Sequence, residues 1–251
     1  MGSSTFGVPL EVLEGETVAL SSTAGYLAVK PGFHEVKAYC ASAWRLALSP
    51  ALVHCVFFDA TDSSYTENVQ SVTDRGTTNF LSLDAMQTAD YVYLGFSEPA
   101  LGAYLDVPTN VNATVASLDV EYCSTAVAFG ATIAFTDVGG DSDGTQTGGD
   151  TTLGQSGVYT WTLPTAWVRS TLGTYDAPTF SKVYWIRFKP SANLSANVDM
   201  TNIIPVYKNA SYGYMEAGIE YQWSFSPTDV GGFVLSVASG TPTLNVSWVQ
   251  H

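Results

Sequence analysis

Apolar and polar residues alternate along much of this chain. Residues 33–39, F-H-E-V-K-A-Y, alternate apolar with polar residues from Glu35 onward, the period of a half-buried strand. Ile219, Tyr221, Trp223 and Phe225 repeat that period, and so do Leu244, Val246 and Trp248. Between Thr114 and Cys123, Val115, Leu118, Val120 and Tyr122 are interleaved with Ser117, Asp119 and Glu121. A slip of one position between Val115 and Leu118 predicts a bulge. Residues 52–58, L-V-H-C-V-F-F, form a continuous apolar run, which predicts a strand buried on both faces. No segment sustains a helical period. Single helical turns are expected at residues 84–87 and, behind Pro164, at residues 165–168. The expected fold is all-β: an antiparallel, jelly-roll-like β-sandwich with an extended N-terminal arm and C-terminal hairpins.

Turn residues divide this pattern into four stretches. Residues 1–25 read as an extended arm of short β-pieces separated by Gly and Ser, and residues 26–90 as a small β-rich region. Residues 91–206 read as one β-sandwich. Residues 207–251 read as two hairpins that complete or extend a sheet. The densest signal lies in residues 157–190. Three of the six tryptophans (Trp161, Trp167, Trp185) and four of the nine basic residues (Arg169, Lys182, Arg187, Lys189) fall there.

Composition narrows the class. A hydrophobic fraction of 46% with 13% charged residues belongs to a folded chain, and 22 Gly and 11 Pro suit short strands joined by tight turns. The net charge is −14. Between Arg75 and Arg169 there is no Lys or Arg, while ten carboxylates occur. A surface of that sign repels phosphate backbones and argues against nucleic-acid binding. The basic residues of 157–190 are expected to complement this acidic half or a neighbouring subunit. No apolar run reaches the roughly 18 residues that cross a bilayer, so no membrane partner is expected. Residues 1–10 have neither the basic nor the apolar region of a signal peptide. Cys40, Cys55 and Cys123 are widely spaced, lack a C-x-x-C pair and sit among apolar or small neighbours, which predicts buried free thiols.

Candidate chemistry is sparse. The histidines are His34, His54 and His251, and no G-x-S-x-G occurs. His54 and Cys55 are adjacent strand residues that point to opposite faces, which disfavours a Cys–His pair. Glu98, Asp106, Asp119 and Glu121 are available as paired carboxylates for glycoside hydrolysis, with solvent-facing strand positions as their more economical role. Residues 137–150, D-V-G-G-D-S-D-G-T-Q-T-G-G-D, form the best metal candidate. Asp137, Asp141, Asp143 and Asp150 with Gly144 offer the carboxylates and sharp turn of a calcium loop, though not its third acidic position or terminal glutamate. The alternative is a hairpin loop without metal. Trp161, Trp167 and Trp185, with Tyr184, have two readings: a stacking platform for sugar rings, or core.

Four segments carry a family resemblance: Y-V-Y-L-G-F at 91–96, V-N-A-T-V-A-S-L-D-V-E-Y at 111–122, W-T-L-P-T-A-W-V at 161–168, and V-Y-W-I-R-F-K-P-S-A-N-L-S at 183–195. Residues 91–206 thereby resemble a sandwich module of virion structural proteins of tailed bacteriophages. The chain departs from that pattern at C-S-T-A-V-A-F, 123–129, where the family carries a Tyr-Trp-Asn-Gly stretch. The resemblance implies a non-enzymatic virion component made in the host cytoplasm. Its first form is a capsid decoration or cement protein that binds the major capsid protein lattice as a homo-oligomer; its second is a tail or baseplate protein. The topology is also similar to carbohydrate-binding jelly rolls, which keeps a glycan-binding module as a further alternative.

Overall fold

The computed structural model describes residues 12–21, 25–28, 33, 35–73, 78–128, 132–173, 182–207, 213–224 and 230–250. Every regular element among them is a strand, and the sheets are antiparallel throughout. The first four strands are β1 (Val12–Ala19), β2 (Gly25–Ala28), β3 (Glu35–Cys40) and β4 (Trp44–Pro50). Next come β5 (Leu52–Asp59), β6 (Ser64–Glu67), β7 (Leu81–Ser82), β8 (Tyr91–Phe96), β9 (Ala100–Asp106) and β10 (Leu118–Cys123). They are followed by β11 (Phe135–Asp137), β12 (Ser142–Asp143), β13 (Gly157–Thr160), β14 (Arg169–Ser170) and β15 (Val183–Pro190). The series closes with β16 (Asp199–Met200), β17 (Asn202–Tyr207), β18 (Gly213–Met215), β19 (Glu220–Ser224), β20 (Val230–Ser236) and β21 (Thr243–Gln250). The two expected helical turns are ordinary turns.

These strands build two sandwiches. In the terminal sandwich, sheet I (order β1-β21-β3-β19) faces sheet II (β18-β4-β20-β2). Val36, Ala38, Leu244, Val246 and Trp248 from one sheet meet Leu27, Trp44, Leu46, Phe233 and Leu235 from the other. In the central sandwich, sheet III (β11-β10-β15-β8-β5-β6, with β14 beside β15) faces sheet IV (β12-β13-β9-β17). Leu94, Phe96, Leu118, Val120, Ile186 and Phe188 of sheet III pack on Ala103, Leu105, Tyr159 and Ile203 of sheet IV. Strand alternation explains both cores, because period-2 positions converge on the inner faces.

The pairing divides the chain differently from the four expected stretches. Residues 12–19 of the expected arm are an eight-residue strand of sheet I, in register with β21 from Val12↔Gln250 to Ala19↔Thr243. Residues 1–11 lie outside the described residues. Stretch 26–90 is split: β2 to β4 belong to the terminal sandwich, and β5 onward to the central one. Strands β18 to β21 complete the sheets that β1 to β4 begin. The central sandwich is thus inserted between β4 and β18.

The crossing into the insert is short. Ala51 alone separates β4 from β5. Its N–H donates to Ser97 Oγ at 3.0 Å, and the Ser97 N–H donates to the Ala51 carbonyl at 3.0 Å. Beside it, the Ser49 hydroxyl donates to the Pro205 carbonyl of β17. Pro205 is tolerated there because β17 is the edge strand of sheet IV.

One departure inside β5 matters for the site. Its pairing with β8 shifts between Leu52 and His54, marking a bulge. Leu52 and Cys55 enter the inter-sheet core, whereas Val53 and Val56 join the cluster on the opposite face of sheet III. The bulge expected near residues 115–118 does not form within a strand. Val115 is 65% exposed in a loop, and β10 starts at Leu118.

Candidate functional site

The three tryptophans proposed as a sugar platform are core residues. Trp161, Trp167 and Trp185 are 4%, 7% and 2% exposed. Their indole N–H groups donate to the carbonyls of Ala100 (2.9 Å), Trp185 (3.0 Å) and Ser170 (2.9 Å). Trp161 and Trp167 both lean on Phe96, and Trp185 stacks on His54 at 5.4 Å. With faces covered and donors engaged, none of them offers a ring to a pyranose. Tyr184 is half-buried, edge-on to Trp167 and under the Arg169 guanidinium.

The acidic loop is organised around a threonine. Thr145 is fully buried. Its N–H and hydroxyl donate to Asp143 Oδ1 at 2.8 and 2.5 Å, and its hydroxyl oxygen accepts the Leu153 N–H at 2.8 Å. Leu153, itself fully buried, plugs the loop into the core. The loop closes on a glycine pair: a Cβ on Gly157 would sit 2.1 Å from the Gly144 carbonyl oxygen, so only glycine fits there. The four aspartates are used separately. Asp137 accepts the Gly139 N–H, Asp141 accepts the Tyr159 hydroxyl, Asp143 holds Thr145, and Asp150 occupies an exposed turn at φ +60°. Among the described residues, no three His, Cys, Asp or Glu side chains group as a metal site requires. In this arrangement the loop is a hydrogen-bonded hairpin plug, and Asp143 Oδ2 is buried without a hydrogen-bond partner.

The remaining candidates are also engaged in structure. Asp106 accepts from Ser156 Oγ (2.7 Å) and Thr201 Oγ1 (2.9 Å). Glu98 pairs with Arg169 at 2.8 Å and Glu121 with Arg187 at 2.6 Å, so two of the basic residues do complement the acidic interval. Asp119 is exposed, opposite Lys189 in the β10–β15 register. His54 Nδ1 lies 2.8 Å from Glu67 Oε2, and Glu67 Oε1 accepts the Cys55 N–H at 2.9 Å. Cys55 faces the inter-sheet core, away from the face on which His54 stacks, and burial pushes its thiol well above the ordinary range. His34 and His251 lie outside the described residues. All three cysteines are free and buried. No helix of the described residues is long and apolar enough to cross a membrane.

What the sequence reading missed is the outer face of sheet III. Five rings form a continuous tract there. Phe58 meets Tyr65 (4.7 Å between centroids), Tyr65 meets Tyr93 (6.3 Å), and Tyr93 meets Tyr91 (5.8 Å) and Phe135 (5.7 Å). The Arg187 guanidinium lies between Tyr91 and Phe135, 4.2 and 4.4 Å from their centroids, while its Nε holds Glu121. Lys189 stands 5.9 Å from the Tyr91 ring. Tyr93 is buried; Phe58, Tyr65, Tyr91, Phe135 and Lys189 are half-buried. The available signal was the alternation of Tyr91 with Tyr93 and of Arg187 with Lys189. It marked a shared face without saying that loops cover only part of it.

Burial pushes the Tyr93 phenol up to about 12, and a hydrogen bond with Arg187 offsets only part of that. Burial, followed by Asp141, raises Tyr159 further. Below pH 10, the ordinary phenol value, folded and unfolded chains hold these protons equally. Above it the unfolded phenols ionise first, so stability falls by about 1.4 kcal/mol per pH unit for each tyrosine. The urea midpoint is expected to drop between pH 9.5 and 11.5, and to drop less in Tyr93→Phe. A flat midpoint contradicts this placement of the phenols.

No protein-family model, no curated protein and no solved structure matches this chain.

Proposed function

We propose that this chain is a non-enzymatic virion structural protein, a capsid decoration or cement protein that binds and stabilises the lattice of a major capsid protein. The observation that carries the reading is the half-buried aromatic tract of sheet III, with Arg187 at its centre and Lys189 at its side. Tyr and Arg are the residues most enriched at the energetic centres of protein interfaces. A partner that covers the remaining surface of these rings gains in proportion to the apolar area it removes from water. The cross-strand register of β10 with β15 and the Glu121–Arg187 pair fix this surface in place, so little ordering cost remains at docking. The acidic loops suit a protein displayed at high local density, because like charge keeps neighbouring particles apart. The resemblance of residues 91–206 to tailed-phage virion modules supports the same reading. The burial of Trp161, Trp167 and Trp185 withdraws those rings from a glycan-binding one.

The test is location. In particles purified from the source phage, the chain is expected at a copy number near that of the capsid subunits, and Tyr65→Ser is expected to cut its occupancy about tenfold or more with the fold intact. Absence from the particles overturns the proposal, and a copy number in the single digits or low tens points to the tail.

A further inference from the structure

Strand β1 holds an unusual place in the terminal sandwich. Gly15, Thr17 and Ala19 are exposed; Glu16 and Val18 are half-buried. Its neighbour β21 buries Leu244, Val246, Trp248 and Val249 at 2% exposure or less. Side-chain ties from β1 include the Trp248 N–H donated to Glu16 and the packing of Val18 against the core. The backbone ladder of eight registered pairs with β21 runs the length of the strand.

The fold anchors the chain just after β1. Leu20 is 2% exposed in the core, its N–H donates to the Pro242 carbonyl at 2.9 Å, and the Val237 N–H donates to the Ser21 carbonyl at 2.9 Å. Rotation at Ala19–Leu20 therefore releases β1 while every large core side chain described stays in place. The edge of β21 left behind has a known complement, because every other copy of this chain carries the same strand.

We propose that β1 is exchanged between copies, so that β1 of one chain pairs with β21 of a neighbour in the register Val12↔Gln250 to Ala19↔Thr243. The ladder, the Glu16–Trp248 contact and the Val18 packing are regained in the neighbour, so exchange costs the hinge and the entropy of association alone. Neighbours held side by side on a lattice meet at high effective concentration, which removes most of that entropy cost. The inference rests on the assembly reading above and names the seam by which copies link.

Thr17 and Asn245 are cross-strand partners and both exposed, and the native thiols are buried. A Thr17→Cys chain and an Asn245→Cys chain, co-expressed and oxidised with diamide on the assembled particle, are expected to give a disulfide-linked dimer on a non-reducing gel. The Thr17→Cys/Asn245→Cys double variant is expected to give linked multimers. Closure of the double variant within single chains, with no mixed dimer, overturns the exchange and leaves the location test untouched. Light scattering gives a second reading on free protein at millimolar concentration: a dimer or larger species that resists dilution is expected, and a monomer at every concentration overturns the proposal.

Discussion

Trp185→Ala is expected to destabilise the central sandwich by about 3–5 kcal/mol, the range for truncating a buried tryptophan in a packed core. Three losses combine in that variant. The indole is 2% exposed, so its removal leaves a cavity on the outer side of sheet III. The Ser170 carbonyl loses its 2.9 Å donor, and His54 loses the ring on which it stacks. The neighbouring Gly95 shows how tight the site is, since a Cβ there would lie 2.7 Å from Val183 and 3.1 Å from Trp185. Thermal or urea denaturation checks the figure. A loss below about 1 kcal/mol is what a surface aromatic gives, and would return Trp185 to the list of candidate ligand contacts.

The second large effect is expected at Asn112, which is 2% exposed. Its amide nitrogen donates to the Thr114 and Thr152 carbonyls at 2.7 and 3.0 Å, and its oxygen accepts the Thr114 and Ser195 N–H groups, both at 3.0 Å. One side chain thus ties three loops together. Asn112→Ala strands backbone groups that water reaches poorly, at about 1–3 kcal/mol for each one left unmatched. A total loss of about 3 kcal/mol or more is expected, with early amide exchange in 112–116 and 151–154. Asn112→Asp turns a carboxylate oxygen toward those two carbonyls, so it should cost at least as much. Wild-type exchange in those loops would contradict this role.

Local patterning made the strands legible. The run 52–58 buried both faces because its residues are apolar at both parities. Trp161 and Trp167 packed into the inter-sheet core and Trp185 into the cluster on the outer side of sheet III, because a large ring gains much from burial. Partner choice was not legible, because it is non-local: nothing near Val12 specifies Gln250 as its neighbour. Residues 12–19 therefore read as an arm although they are an edge strand. The aspartate loop was legible in its spacing but not in its partners. Asp141 and Asp143 have metal-loop spacing, but Thr145 captures Asp143 within its own turn and Tyr159 captures Asp141 from across the hairpin. The aromatic tract lay hidden because its sign, exposure on an outer face, depends on where covering loops stop.

The insertion between β4 and β18 also orders events during synthesis. Residues 12–50 emerge first, yet the strands they need come from 213–250, roughly two hundred residues and about 10–40 s later at ordinary elongation rates. The insert has all its partners by Tyr207 and is free to fold while Trp44, Leu46 and Val36 still wait. Its closure brings Ser49 and Pro205 together, and so delivers β4 to the point where β18 and β20 arrive. The central sandwich then serves the ends of the chain as a clasp, shortening the search that sheets I and II must make. A chain that stalls before β20 presents the unpaired edges of β3 and β4 to its surroundings, the state most exposed to aggregation and to capture by chaperones.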